Sequence, residues 1–272
     1  MGHFTDKVAV VTGAASGIGR ALSVELARRG AVLAISDVDA TGLAETQRLV
    51  EAAGARVRGD LLDVSERERV LAYADEVVAD LGRVNLVFNN AGIAYTGTVQ
   101  EMSFKDVDKV MDVDFWGVVH GTKAFLPHLV ASGDGHVVNI SSVFGLFGVP
   151  SQSAYNAAKF AVRGFTEALR QEMLLSGDPV KVTCVHPGGI ATNIARNAEQ
   201  AEGRDHDELA RSFDKLARTS PEKAAQVILK GVEKGRARVL IGADAHVLDA
   251  GVRILGPAYQ RVVARFGDRL GL

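Results

Sequence analysis

Short apolar runs alternate with longer segments of helical periodicity along most of this chain. The run at 8–11 is rich in β-branched residues and the run at 31–36 is largely apolar, so both predict buried strands. Between them, apolar residues recur every three or four positions from 18 to 29, which predicts a helix. The same pattern predicts strands at 56–59, 84–88, 136–140, 180–185 and 238–241, and helices at 43–53, 66–81, 104–130, 153–175 and 220–234.

Short strands that alternate with helices of ten or more residues are typical of βαβ units. Such units build a parallel sheet with helices on both faces. The predicted fold is therefore a doubly wound, Rossmann-like α/β fold. No Pro/Gly/Ser-rich linker or internal repeat divides the 272 residues, so we expect a single domain over 1–272.

Two segments break this alternation. The stretch 194–218 is polar and mixed in charge, and we expect it either to cover the substrate site or to form a solvated helix pair. The tail at 244–272 is apolar on one side and basic on the other, with an interruption at Gly256-Pro257. That pattern suits packing against a partner subunit or the body of the protein, and a peripheral membrane contact is the weaker alternative.

Composition excludes several classes of function. The net charge is -2 with no long run of one sign, which argues against a nucleic-acid surface. The lone Cys184 cannot form an internal disulfide, and no Cys/His cluster has the spacing of a metal site. No stretch reaches the 18 apolar residues of a membrane span, and no signal peptide is visible. We therefore expect a cytoplasmic protein without a metal.

A glycine-rich turn separates the first predicted strand from the first predicted helix. Gly13, Gly17 and Gly19 in this turn would let phosphate oxygens approach the amide groups at the start of the helix. A glycine turn alone is weak evidence, but this position between strand and helix is the one that dinucleotide binding requires.

Two acidic residues follow the next two strands. Asp37, eighteen residues after Gly19, can accept hydrogen bonds from ribose hydroxyls and would repel a 2′-phosphate, or it can simply stabilise a turn. Neither Ser16 nor Val38 is basic, so NAD is predicted rather than NADP. Asp63, with Val64, could border the adenine.

Tyr155 and Lys159 lie four residues apart within the predicted helix 153–175. Residues at this spacing differ in direction by about 40°, so the two side chains share one face. Free tyrosine titrates near pH ~10, and a neighbouring positive charge lowers that pKa. An isolated pair of this kind is usually mere helix surface, but here other motifs accompany it.

Five short motifs follow one another along roughly the first 195 residues: Thr12-Gly13-x-x-x-Gly17-x-Gly19, Asn89-Asn90-Ala91-Gly92, Ser142, Tyr155-x-x-x-Lys159 and Pro187-Gly188-Gly189-Ile190-x-Thr192. In this order they resemble the short-chain dehydrogenase/reductase family. Each motif is modest alone, whereas the ordered set is highly specific.

The resemblance implies a role for each motif. Ser142 is expected to hydrogen-bond the substrate oxygen, and Tyr155 to exchange that oxygen's proton as hydride moves to or from the nicotinamide. Lys159 is expected to bind the nicotinamide ribose and to lower the pKa of the tyrosine. The expected cofactor-binding residues are Gly13, Ser16, Gly17, Ile18, Gly19, Asp37, Asp63, Val64, Asn90, Ala91, Gly92, Tyr155, Lys159, Pro187, Gly188, Ile190 and Thr192, the last two holding the carboxamide.

The chain departs from the family at two places. Where relatives usually have asparagine, this chain has Asp114, which in its ionised form can only accept hydrogen bonds. Three states are open for this added catalytic candidate: an ionised carboxylate that raises the pKa of Tyr155, a protonated side chain that acts like asparagine, or a role for the backbone alone. The long tail differs from the short family C-terminus, so the family tetramer does not carry over directly, but we expect a homodimer or homotetramer.

The sequence thus predicts an oxidoreductase that transfers a hydride between NAD(H) and a secondary alcohol or ketone. Apolar residues at 143–149 and 94–95 favour a lipophilic substrate, although they can equally be core. One alternative is a catalytically impaired dinucleotide-binding sensor or scaffold, which only Asp114 supports. A weaker one is a sugar-nucleotide epimerase or dehydratase, a class with different glycine spacing and a longer C-terminal domain.

Overall fold

Seven parallel strands form the central sheet of the computed structural model, which describes residues 2–192, 194, 198–200 and 219–270. These strands are β1 (Val8–Thr12), β2 (Val32–Asp37), β3 (Val57–Leu61), β4 (Leu86–Asn89), β6 (Gly135–Ile140), β7 (Val180–Pro187) and β9 (Arg238–Ile241). Their order across the sheet is β3-β2-β1-β4-β6-β7-β9. A separate short parallel pair, not predicted from the sequence, joins β5 (Tyr95–Thr96) to β8 (Glu199–Gln200).

Helices cover both faces of the sheet. They are α1 (Gly17–Arg28), α2 (Ala40–Ala52), α3 (Arg67–Leu81), α4 (Phe104–Met111), α5 (Gly117–Ala131), α6 (Ser153–Ser176), α7 (Pro221–Glu233), α8 (Ala243–Leu255) and α9 (Tyr259–Leu270). Helices α1, α2 and α7 contribute to one core and α3, α5 and α6 to the other. Alternate side chains of β1 enter the two cores, with Val11 in the first and Val10 in the second. The predicted doubly wound α/β fold is confirmed.

The helix predicted at 104–130 is divided by a π-helical turn, Asp112–Trp116. The helix begins with a capping box, in which the Ser103 hydroxyl accepts from the Asp106 amide and the Asp106 carboxylate accepts from the Ser103 amide. A π-helical turn inserts one residue into the helix and often occurs at functional sites. Here it carries Asp114, whose side chain is fully buried.

The carboxyl ends of the strands define the edge where the predicted site residues meet. From β1 the chain moves outward through β2 and β3, and then returns to place β4 on the other side of β1. Open parallel sheets bind ligands at such a reversal of strand order. Most of the predicted site residues lie at or just after the ends of β1, β2, β3, β4, β6 and β7, so the fold brings them to this edge, whereas Asp114 lies on the π turn and Tyr155 and Lys159 lie on α6.

The alternation of strands and helices is interrupted at 194–218 and in the tail at 244–272, and the structure describes mainly the second of these segments. Most of 194–218, predicted to cover the substrate site, lies outside the described residues. The tail forms α8 and α9, joined by a 3₁₀ turn at Gly256–Ala258 where the interruption was predicted. Among the described helices, none combines the length and hydropathy needed to cross a membrane.

Candidate active site

The glycine turn after β1 is packed so closely that side chains would not fit at two of its glycines. A Cβ at Gly19 would lie 2.0 Å from the carbonyl oxygen of Gly13, and a Cβ at Gly13 would lie 2.6 Å from the Cα of Ala91. The Asn90 amide group donates to the carbonyls of Thr12 (2.9 Å) and Gly13 (3.1 Å). The predicted Asn90, Ala91 and glycine positions are therefore in direct contact.

The start of α1 faces the loop that follows β7. Ser16 is the exposed N-cap of α1, and Ile18 packs against the core. A Cβ at Gly17, whose φ is +52°, would lie 3.1 Å from the Thr192 methyl carbon. Thr192 and Gly17, far apart in sequence, thus lie next to each other across the edge of the sheet.

Asp37 braces the glycine turn from the end of β2. Its Oδ2 accepts from the amide of Ala15 at 2.8 Å, and its Oδ1 accepts from the amide of Asp39 at 3.0 Å. Arg20, the first basic residue of α1, donates to the Thr46 hydroxyl at 2.9 Å and to the carbonyl of Ala15. A carboxylate has about four acceptor positions, so Asp37 retains capacity beyond these two backbone bonds.

Asp63 and Val64 line the end of β3. The Asp63 carboxylate accepts from both the amide (2.9 Å) and the hydroxyl (2.7 Å) of Ser65. The Val64 carbonyl accepts from Nδ1 of His120 at 3.0 Å, and the Val64 side chain packs directly over Gly117. These contacts fix the turn after β3 against the beginning of α5.

Four predicted catalytic side chains come together beneath this edge. Lys159 Nζ lies 3.0 Å from Asp114 Oδ2, and it also donates to the carbonyl of Ile140 at 3.4 Å. The same Nζ lies 5.4 Å from the centroid of the Tyr155 ring. The Ser142 hydroxyl accepts from the amide of Phe144 at 3.1 Å, and it lowers the pKa of the nearby Tyr155 phenol.

Asp114 makes two contacts through its side chain. Besides pairing with Lys159, it accepts from the Ile93 amide through Oδ1 at 2.8 Å. The role of Ile93 was missed, because a backbone donor leaves no signal in the residue type. Gly92 allows this approach, since a Cβ there would lie 3.3 Å from Lys159 Nζ and 3.4 Å from Asp114 Oδ1.

The pKa values of these side chains depend both on their burial and on the charges of their neighbours. Burial raises the pKa of Tyr155, the ammonium of Lys159 lowers it, and the carboxylate of Asp114 raises it, with a net upward shift. Burial also raises the pKa of Asp114 against the effect of Lys159. For Lys159, burial lowers the pKa, but Asp114 and Tyr155 outweigh it and the net shift is upward. The lysine is thereby held as a cation beside the phenol.

The loop after β7 is held by a residue that the sequence analysis missed. Gly188 donates to the carbonyl of Ile241 at 2.9 Å, and the amide of Gly189 donates to Asp244 Oδ2 at 2.7 Å. A Cβ at Gly188 would lie 2.2 Å from the same carboxylate. The available signal was an aspartate in the first turn of α8, just after a glycine; the register of the tail against β7 was not predictable.

The remainder of that loop is anchored close to the start of α7. Ile190 is buried and bridges Thr219, whose carbonyl accepts from the amide of Ala191 at 2.9 Å. Pro187, the last residue of β7, pairs with Ile241 of β9. The predicted residues Pro187, Gly188, Ile190 and Thr192 thus follow one anchored path from the sheet to the glycine turn.

The parallel sheet and the group formed by Ser142, Tyr155, Lys159 and Asp114 together define a class of protein. Comparison with known proteins identifies the same class. A family model described as short chain dehydrogenase matches residues 7–203. The chain belongs to the short-chain dehydrogenase/reductase family and is an oxidoreductase of that family.

Individual relatives cover nearly the whole chain. "Putative oxidoreductase SadH" of Mycobacterium tuberculosis is 63% identical over 97% of this chain and 96% of its own length. A short-chain dehydrogenase/reductase from Burkholderia phymatum, solved in complex with NAD, has a TM-score of 0.85 and 34% identity over 93% of this chain and 94% of its own. Levodione reductase has a TM-score of 0.80 and 30% identity over 91% of this chain and 100% of its own.

Proposed function

We propose that this protein transfers a hydride between NAD(H) and a secondary alcohol or ketone, with Tyr155 as the general acid/base. The observation that carries the proposal is the group of side chains at the sheet edge. The Tyr155 ring lies 5.4 Å from the buried ammonium of Lys159, which pairs with the buried carboxylate of Asp114 at 3.0 Å. A proton-transfer group of this kind matches the charge that a hydride transfer leaves on the substrate oxygen.

The residues around this edge fit a nicotinamide dinucleotide. The pyrophosphate would lie over Gly13–Gly19, where backbone amides at the start of α1 are open to close approach. Asp37 would accept the adenosine ribose hydroxyls, and Asp63 and Val64 would border the adenine. Gly92, Ile190 and Thr192 would face the nicotinamide end. When bound, the nicotinamide gives or receives the hydride.

The protein's own residues handle the proton. In reduction, Tyr155 donates its phenolic proton to the substrate oxygen while Ser142 hydrogen-bonds that oxygen; in oxidation the phenolate removes the proton. Lys159 stabilises the phenolate, and Asp114 keeps Lys159 charged but weakens this stabilisation. The balance between Lys159 and Asp114 therefore sets the working pH of the tyrosine.

A lipophilic substrate fits the surface beside Tyr155. The ring of Phe144 meets that of Tyr155 edge-on, with centroids 6.1 Å apart. Phe144 is half-buried, and it belongs to a cluster of apolar side chains that includes Leu146 and Val149. An apolar wall next to a few polar groups is typical of small-molecule sites.

The test is a panel of secondary alcohols and ketones of increasing apolar size. NADH formation and consumption are followed by absorbance, and NADH binding is followed by fluorescence. We expect turnover that improves with apolar size. Tight NADH binding without turnover on any member would favour the impaired sensor or scaffold instead, and conversion of a sugar nucleotide without net NADH would favour the epimerase.

Asp37 is expected to set the preference for NAD over NADP. The wild-type enzyme should have the higher kcat/KM with NAD, and Asp37→Ala should narrow the difference by removing repulsion of the 2′-phosphate and bonds to the ribose. Asp39→Ala is the matched control, because Asp39 caps α2 through Thr41 and Gly42. Comparable kcat/KM with both cofactors in the wild-type enzyme would contradict the assignment.

Asp244 is expected to hold the cofactor-binding loop after β7. Asp244→Ala removes the acceptor of the Gly189 amide, a hydrogen bond of the charged type, so the Kd for NADH should rise by about tenfold. Asp249→Ala is a control on the same helix, where Asp249 pairs with Arg253. An unchanged Kd for NADH would show that the loop keeps its position without Asp244.

We also propose a homodimer or homotetramer. Trp116, on the π turn, and Phe160, on α6, are 46% and 41% exposed, which is high for such large apolar side chains. Sedimentation analysis of the wild type and of Trp116→Lys measures the state. A monomeric wild type would contradict this proposal.

A further inference from the structure

The C-terminal segment reaches back to the loop that follows Ser142. Tyr259, the first residue of α9, accepts a hydrogen bond from the amide of Gly148 through its hydroxyl oxygen at 2.8 Å. Its ring meets that of Phe147 edge-on, with centroids 6.1 Å apart. The contact joins positions 111 residues apart in sequence, so it is a tertiary feature of the fold.

The loop at 143–149, here called the substrate loop, has two anchors. On one side, Asn156 donates to the carbonyls of Phe144 (2.7 Å) and Phe147 (3.0 Å) and accepts from the amide of Val149 at 3.0 Å. Asn156 directly follows Tyr155 on α6, so this anchor ties the loop to the helix of the proposed acid/base. The other anchor is Tyr259.

A row of aromatic rings connects Tyr259 to Tyr155. Phe147 and Phe144 meet edge-on with centroids 5.8 Å apart, and Phe144 meets Tyr155 in the same way at 6.1 Å. Edge-to-face pairs at these separations are favourable and directional, so a shift of one ring displaces the next. Phe147 is only 1% exposed, which leaves Phe144 as the ring that can face a substrate.

We propose that Tyr259 is a positioning residue for substrate specificity: it holds the substrate loop so that Phe144 forms an apolar wall beside Tyr155. The inference rests on the proposed function, because it assigns the substrate side of that site. It makes the C-terminal segment part of the site and selects alcohols and ketones with a bulky apolar substituent. Small substrates that do not reach Phe144 depend less on Tyr259.

Kinetics separate this role from a general structural one. Tyr259→Phe removes only the hydroxyl, so KM for a bulky ketone should rise about 3- to 10-fold, the range for one lost hydrogen bond. The kcat and the Kd for NADH should stay within about twofold, and KM for a small ketone should change least. Tyr73→Phe, in the other core, is the matched control. An unchanged KM for bulky ketones overturns the proposal.

Hydrogen exchange tests the loop contact without using activity. Amide exchange within 143–149 should be faster in Tyr259→Phe than in the wild type, and unchanged in Tyr73→Phe. Equal exchange in Tyr259→Phe and the wild type overturns the proposal. A wild type that is inactive on the whole panel would end the proposed function, while the exchange result would still decide whether Tyr259 holds the loop.

Discussion

Replacing Tyr155 with phenylalanine is expected to lower kcat by at least ~10²-fold while NADH still binds, which is the scale of a lost general acid. The substitution removes the hydroxyl that is proposed to exchange a proton with the substrate oxygen. The ring remains, and with it the edge contact to Phe144. Folding and cofactor binding should therefore be preserved.

The pH dependence of the rate is a second test of the role of Tyr155. Alcohol oxidation requires the phenolate, so the wild-type rate should rise as pH increases through the pKa of Tyr155. Because burial raises that pKa despite Lys159, the rise should lie on the alkaline side. The variant should lack this rise.

Tyr95→Phe is the control for removal of a tyrosine hydroxyl near the site. The Tyr95 ring is buried in a cluster with Val110 and Ala158, so it is core here, and its hydroxyl, which bonds to Asp106 at 3.1 Å, takes no part in the proposed proton transfer. The kcat of Tyr95→Phe should stay close to that of the wild type. Near-normal turnover in Tyr155→Phe would end the proposed mechanism.

The second large effect is expected at Asp114, the buried partner of Lys159. Asp114→Ala leaves the buried cation of Lys159 without its carboxylate partner and the Ile93 amide without its acceptor. Breaking a buried ion pair from one side typically costs about 3–5 kcal/mol, so the free energy of unfolding should fall by that amount. Denaturant unfolding measures it, with exposed Asp112→Asn as the control on the same turn.

Asp114→Asn should behave differently from the alanine variant. The amide oxygen can still accept from Ile93, so stability should fall less. Removing the negative charge should lower the pKa of Tyr155, because the carboxylate raises it. The pH–rate profile of oxidation should then move to lower pH, with activity kept or raised near neutrality. A loss of more than ~10-fold in kcat in a folded variant would show that the carboxylate itself is required.

Several parts of the site were predictable from the sequence because they depend on local rules. Gly13, Gly17 and Gly19 fall where a strand leads into a helix, a junction at which glycine lets the chain turn tightly. Tyr155 and Lys159 share a helix face by spacing alone. That these separate motifs meet in the fold was predictable from the parallel sheet, since the carboxyl ends of parallel strands meet at one edge.

Other parts depended on contacts between distant segments. Asp114, which pairs with Lys159, lies on the π turn at Asp112–Trp116, and a single inserted residue leaves the apolar periodicity of a long helix almost unchanged. The Asp244 contact to Gly189 arises from how the tail lies along β7, a register that no repeating pattern encodes.

The sequence by itself therefore determined the doubly wound sheet, the family and the edge at which the site lies. The physical reason is that hydrophobic periodicity and strand-end motifs act over a few residues. Only the tertiary structure decided which charges are paired in the candidate site and that the C-terminal segment contacts the loop after Ser142. Those features, Asp114 with Lys159 and Tyr259 with Gly148, arise from packing between segments far apart in the chain.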